Sequence, residues 1–370
     1  MEHGIICRKP DSLFSYFGWG SVTRIDEHTL VAACSGQRTR HICPFGKTEL
    51  FYSFDDGKTW SEPVVVNDTM LDDRDAGIVH LGGKRLALTW FNHPLHYFSA
   101  RDDDPMQPLY HAYMDTVEPE LKTRCGSWMR LSEDGGFSWG EPMKMEISSP
   151  HGPSVMNDGT LLYFGKGMYS DRVSRDENAY SHPYSDPEYR DKITAWTSTD
   201  GHEWTELGTV PLPENVEWNN FHEPHAIQLA NGRILGMIRY ECATGQTEFP
   251  FGHGLHMFQT WSDDGGRTWS VPTHLDMTGS PPHLLQHSSG AVICAYGRRE
   301  LPYGEHVLIS YDDGKTWAKD VELSRGERAD LGYPCSVELA DGSILTVYYQ
   351  AWGEDPSTSF LYTRWSLDEV

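Results

Sequence analysis

Residues 310–317 read SYDDGKTW, and four other stretches repeat the pattern: SFDDGKTW at 53–60, SEDGGFSW at 132–139, STDGHEW at 198–204 and SDDGGRTW at 262–269. Each is a polar turn in which Asp and Ser side chains can bond nearby backbone N–H groups while Gly supplies a positive φ. Each ends on a Trp able to plug the gap between packed sheets. The intervals are irregular, one supersecondary unit plus a variable loop, as repeat architectures show.

A second repeat interleaves with the first. It is an apolar strand, a short turn and another apolar strand, and it occurs six times: SVTRIDEHTLVAACSG, GIVHLGGKRLALTWF, SVMNDGTLLYFGKG, AIQLANGRILGMIRYE, LLQHSSGAVICAYGRR and SVELADGSILTVYYQ. Gly-Gly, Asp-Gly, Asn-Gly and Ser-Gly pairs at the centres are hairpin signals, because tight hairpin turns need φ > 0. The first copy has Glu27-His28 there and is the weakest. Six hairpins interleaved with polar turns, and almost no helical periodicity, predict an all-β chain: a six-bladed β-propeller of four-stranded antiparallel blades, one domain over 1–370. Loop insertions near 94–126 and 167–192 interrupt the repeat. Both leave the end of a second strand, which puts them on one rim as walls, lids or oligomer contacts.

Composition narrows the function. The 370 residues are 38% hydrophobic with 13 Trp, enough for a large core. A net charge of −24 repels nucleic acid and anionic membranes. No apolar run reaches the ~18 residues of a membrane helix, and MEHGIICRKPDSLF does not read as a secretory leader. Seven scattered Cys without CxxC pairs fit reduced thiols and a cytoplasmic location. No cofactor is expected. Zn²⁺ would require His151, His225 and His283 to converge from three blades, without any metal-type spacing in the sequence.

Hairpin geometry locates a site. First strands start, and second strands end, on the same rim, opposite the glycine turns. That rim collects Gly18, Trp19, Arg38, His41, Asp73, Arg74, Asp75, His151, Lys166, His222, Glu223, His225, Arg239, His283, Arg298, Arg299, Tyr333 and Gln350. A mouth so rich in His, Arg and carboxylates suits a glycan or oligosaccharide.

S-x-D-x-G-x-x-W is similar to the Asp-box of the sialidase (neuraminidase) superfamily, also known for its BNR repeats, and the likeness runs over nearly the whole chain. FHEPHAIQLANGRILGMIRYE resembles the family's strand pair with Glu and Arg, falling on Glu223 and Arg239. The resemblance implies that Glu223 polarises a nucleophilic Tyr and that Arg239 grips a substrate carboxylate. LGYPCSVELADGSILTVYYQ places Tyr333 on the nucleophile, and ACSGQR places Arg38 on a site arginine. Three departures stand out. FGWG replaces the family's Phe-Arg-Ile-Pro, so one clamp arginine is missing. TRHICPFGKTEL lacks the family's acid/base Asp, and His41 stands in that stretch. Arg298, Arg299 and His306 compete for the third clamp arginine.

These residues point to an exo-acting glycoside hydrolase on a terminal, possibly acidic or deoxy, sugar. Tyr333, Glu223, His41 and Asp75 are the catalytic candidates, with Asp73 a further carboxylate. Arg38, Arg74, His151, His225, Arg239, His283, Arg298 and Gln350 are the substrate-binding candidates. The alternatives are a polysaccharide lyase using Tyr333 or a His as base, and a non-catalytic carbohydrate-binding propeller.

Overall fold

The computed structural model describes residues 1–93, 105–118, 125–167, 192–242, 251 and 254–370. The remainder of the two expected insertions lies outside the described residues. Within the first, residues 107–116 form a helix that the strand-dominated sequence pattern did not signal.

Six four-stranded antiparallel sheets form the ring. Blade 1 comprises Tyr16–Arg24, Leu30–Arg38, Lys47–Ser53 and Val64–Asn67, and blade 2 Asp72–His80, Leu86–His93, Ser127–Ser132 and Met143–Met145. Blade 3 runs from Ser154–Val155 through Leu161–Lys166 and Ile193–Ser198 to Thr205–Thr209. Blade 4 begins with Phe221–Gln228 and Ile234–Tyr240, blade 5 with His283–Gln286 and Val292–Arg298, and blade 6 with Gly332–Glu338 and Ile344–Ala351. The outermost strand of blade 6 is Glu2–Cys7, paired antiparallel with Thr358–Trp365, so the first strand of the chain closes the last blade.

This closure explains why six blades carry five polar turns. Each turn links the third and fourth strands of its blade, and in blade 6 that covalent link does not exist. The turns share one wiring. In 310–317 the Gly314 N–H donates to Ser310 Oγ at 2.8 Å and the Thr316 N–H to Asp312 Oδ1 at 2.8 Å. The Thr316 N–H and the Thr316 and Ser310 hydroxyls all donate to Asp312 and hold its carboxyl down at about 2. The glycine is also a packing requirement. A Cβ on Gly314 would meet Leu235 and Trp261 of blade 4, and one on Gly57 would meet Leu345 of blade 6 at 2.4 Å. Each turn therefore braces its blade against the preceding one.

The core is a set of layers between blades. Phe17, Val22, Ala32 and Phe51 of blade 1 pack on Leu345, Val347 and Phe360 of blade 6. Leu162, Phe164 and Ala195 of blade 3 pack on Ile234, Ile238 and Phe258 of blade 4. The closing strand is seated closely: a Cβ on Gly4 would lie 2.2 Å from the Tyr362 ring. Gly4→Ala is therefore expected to destabilise the ring by about 1–3 kcal/mol through overpacking, read as a lower thermal midpoint. An unchanged midpoint would mean that this strand does not clasp blade 6.

Candidate active site

Four blades aim their innermost strands into the mouth by the same device. Trp19, Asp75, Glu223 and Tyr333 all have positive φ, at 53°, 55°, 43° and 51°. Each sits in a register break of its innermost strand, between Gly18 and Ser21, Arg74 and Gly77, His222 and His225, and Gly332 and Cys335. A bulge with a left-handed residue re-aims a side chain. Such a conformation costs on the order of 1–3 kcal/mol for a non-glycine residue and gathers at functional sites.

Tyr333, Glu223 and Arg239 meet there. The Tyr333 hydroxyl donates to Glu223 Oε1, and Arg239 Nη1 donates to Glu223 Oε2. Arg239 Nη1 also lies 3.3 Å from the Tyr333 oxygen, and its Nη2 donates to Glu241 at 2.5 Å. Burial works against the Glu223 charge, but the Arg239 guanidinium and the phenol donor win and hold this carboxyl below its ordinary value. Burial, with the Glu223 charge beside it, pushes the Tyr333 phenol well up. At neutral pH this is a phenol donating to a carboxylate. Burial and the Glu223 charge push the Asp75 carboxyl up to about 8.

A second cluster lines the mouth beside them. His41 Nδ1 lies 2.9 Å from Asp330 Oδ1 and 2.8 Å from the Tyr16 hydroxyl. Tyr16 and Tyr349 also donate to Asp330, at 3.0 and 3.2 Å. The His41 ring stands edge-on to Trp19 at 4.9 Å, and Trp19 stands edge-on to Tyr333 at 6.3 Å. Arg299 Nη2 donates to Tyr349 at 2.7 Å, and its guanidinium carbon lies 5.4 Å from the Tyr333 ring centre. Of the three candidates for the third clamp position, Arg299 is thus the one beside Tyr333.

Other expected residues lie elsewhere. Arg38 is in the site's foundation rather than its opening: it and Asp72 are fully buried and ion-paired, and Arg38 Nη2 donates to the His41 carbonyl at 2.8 Å. The Arg38 and Arg74 guanidinium carbons lie 4.6 and 3.9 Å from the Trp19 ring centre. Asp73 is tied to Thr69 and Asn92. Arg298 turns away from Tyr333 and lines a cleft of about 330 Å³ with Asp276 of blade 4 and Asp320 of blade 5. Gln350 faces away from the mouth and donates to Ser324 and the Arg325 carbonyl. Both corrections share one cause: neighbouring strand residues point to opposite faces, so the mouth receives Arg299 and Tyr349 and not Arg298 and Gln350.

His151, His225 and His283 do converge, but as a packed cluster. The His225 and His283 rings stack at 4.6 Å, and His151 stands edge-on to both. His225 Nδ1 accepts the Leu284 N–H at 3.0 Å and His283 Nδ1 the Ser336 N–H at 3.2 Å. Burial pushes all three rings toward the neutral form. Among the described residues no group of three His, Cys, Asp or Glu side chains is placed to hold a metal ion, so the Zn²⁺ arrangement is not formed.

The chain aligns with a protein of unknown function from Dyadobacter fermentans at 20% identity and TM-score 0.72, covering 98% of this chain and 97% of that one. It aligns with the NanB sialidase of Streptococcus pneumoniae at 14% identity and TM-score 0.68, over 99% of this chain and 71% of that one. The fold is that of the sialidases. This sialidase-like propeller also superposes on an α-L-arabinofuranosidase from Fusarium graminearum at 13% identity and TM-score 0.65, over 100% and 99% of the two chains. Residues 195–347 match the BNR repeat-like domain family. No curated protein matches the chain in sequence. All seven cysteines of the propeller are free thiols, and no helix among the described residues is long and apolar enough to cross a membrane.

Proposed function

We propose that this sialidase-like propeller is an exo-acting glycoside hydrolase that removes a terminal neutral sugar, with Tyr333 as nucleophile and Glu223 as its base. The observation that carries this reading is the Tyr333–Glu223–Arg239 constellation, held by left-handed residues on separate blades. As the Tyr333 oxygen bonds to the anomeric carbon, its proton passes to Glu223 and the glycosidic C–O bond breaks. Water then attacks the same carbon and gives up one proton, balancing the one the departing oxygen took, while the phenolate leaves and recovers its own proton from Glu223.

The charge pattern favours a sugar without a carboxylate. A substrate carboxylate would need guanidinium forks free to receive it. Both Arg239 Nη atoms already end on carboxylates, Glu223 and Glu241. Arg38 is spent on Asp72, and Gly18 stands where a clamp arginine is expected. The α-L-arabinofuranosidase with this fold is named for a carboxylate-free sugar.

The test is a panel of aryl glycosides and polyuronides that includes a sialoside and an α-L-arabinofuranoside, followed for reducing ends and for ultraviolet absorbance of an unsaturated product. Reducing ends from a neutral glycoside, with the sialoside inert, is the expected result. Sialoside cleavage would overturn the neutral-sugar assignment. An absorbing product would make the protein a lyase, and silence from every substrate would leave it a binding propeller.

A further inference from the structure

Resting on the hydrolase reading, we infer that His41, oriented by Asp330, is the acid and base that exchanges a proton with the leaving group. Three observations converge. First, Asp330 Oδ1 sits 2.9 Å from His41 Nδ1. A carboxylate can only accept, so the proton belongs on Nδ1 and Nε2 is left for exchange. The Tyr16 and Tyr349 hydroxyls donate to Asp330 and fix its rotamer. Second, the backbone is pinned, because the fully buried Arg38 holds the His41 carbonyl. The 107–116 helix supports the same loop through Tyr110, whose hydroxyl bonds Thr39 at 2.8 Å and whose ring packs on Phe45.

Third, exposure separates the roles. In an exo-acting site the terminal sugar fills the bottom and the leaving group faces solvent. The His41 and Asp330 side chains are 38% and 41% exposed, whereas Asp75 is only 5% exposed on its innermost strand. Asp75 is thus placed to meet the sugar, and His41 to meet the oxygen that departs. Protonated at both nitrogens, His41 gives its Nε2 proton to that oxygen as the C–O bond breaks. In the second half-reaction neutral His41 takes a proton from the attacking water at Nε2. His41 ends in its starting state, and the net change is glycoside plus water to the free sugar, a hemiacetal, and an alcohol.

Two variants, His41→Gln and Asp330→Asn, test this on two glycosides of the sugar the parent protein cleaves, one with a dinitrophenol and one with an alkyl leaving group. Dinitrophenolate departs without a proton and an alkoxide does not. His41→Gln is expected to lose roughly 10²–10⁴-fold in kcat/KM on the alkyl glycoside and less than ~10-fold in the bond-breaking step on the dinitrophenyl one. Asp330→Asn should lose less and keep the same asymmetry. Equal losses on both substrates, or none on either, overturn the proposal while the hydrolase reading stands. A parent protein inert on every glycoside overturns that reading, and this proposal with it.

The parent's pH profile separates His41 from Asp75. Burial pushes His41 below its ordinary 6.5; Asp330 opposes that, and the Arg74 and Arg299 charges add to it. An acid must be protonated to act, so activity should fall as pH rises through a value below 6.5. A fall centred near 8 would assign the role to Asp75, whose carboxyl lies at about 8.

Discussion

Tyr333→Phe is expected to leave the propeller folded and to lower kcat by on the order of 10³-fold or more, as removal of a covalent nucleophile does. The change deletes one oxygen. The ring keeps its contacts with Trp19 and Tyr349, and Phe tolerates the left-handed backbone at 333 no worse than Tyr does. The deleted oxygen donates to Glu223 and sits 3.3 Å from Arg239 Nη1. Glu223→Gln attacks the same unit from the other side. It keeps the shape but removes the charge that accepts the phenol proton, and kcat should fall roughly 10²–10⁴-fold. Because the two residues act on one proton, the double variant should be hardly slower than Tyr333→Phe alone. A Tyr333→Phe variant with ordinary turnover would remove the nucleophile from this mechanism.

Asp72→Ala should produce the largest loss of stability. Asp72 faces Arg38, and neither side chain is exposed. Arg38 is further fixed by Ser35 Oγ at 3.0 Å and the His41 carbonyl at 2.8 Å. Removing one member of a buried pair strands the other charge, at a cost of about 3–5 kcal/mol. Arg74 lies 3.8 Å from the same carboxylate, so two guanidiniums beside Trp19 would lose their shared anion. Denaturant unfolding measures the cost. Activity should fall with stability, because Arg38 positions the loop that carries His41. Combining Arg38→Met with Asp72→Ala removes the stranded cation and should recover part of the stability. A single variant as stable as the parent would mean that Asp72 does not neutralise Arg38.

The fold was legible because its two repeats have local physical causes. The Asp312 turn and the Gly342 hairpin are each dictated by a few contiguous residues needing side-chain bonds or a positive φ. The closing strand Glu2–Cys7 was not legible, since its partner lies at the other end of the chain. Which residues meet at the mouth was legible to within one position. Hairpin geometry gathers Tyr333, Glu223, Arg239, His41 and Asp75 on one rim, but it does not tell Arg298 from Arg299 or Gln350 from Tyr349. Facing depends on register, and register at the rim is broken by bulges the sequence does not announce. Asp330 was missed for a related reason. It lies three residues before Tyr333, outside any strand, and only the folded ring brings it to His41. Glu241 had a readable signal, standing two residues beyond Arg239 and so on the same face of the extended chain.

The most direct test is to trap the covalent intermediate with the 2-fluoro, activated-leaving-group counterpart of the sugar the protein cleaves, and to locate the added mass by peptide fragmentation. The account predicts one sugar per chain, on the Tyr333 oxygen, and no adduct in Tyr333→Phe. A label on Glu223 or Asp75 would contradict it, as would hydrolysis of the parent glycoside with inversion at the anomeric carbon and no adduct on Tyr333.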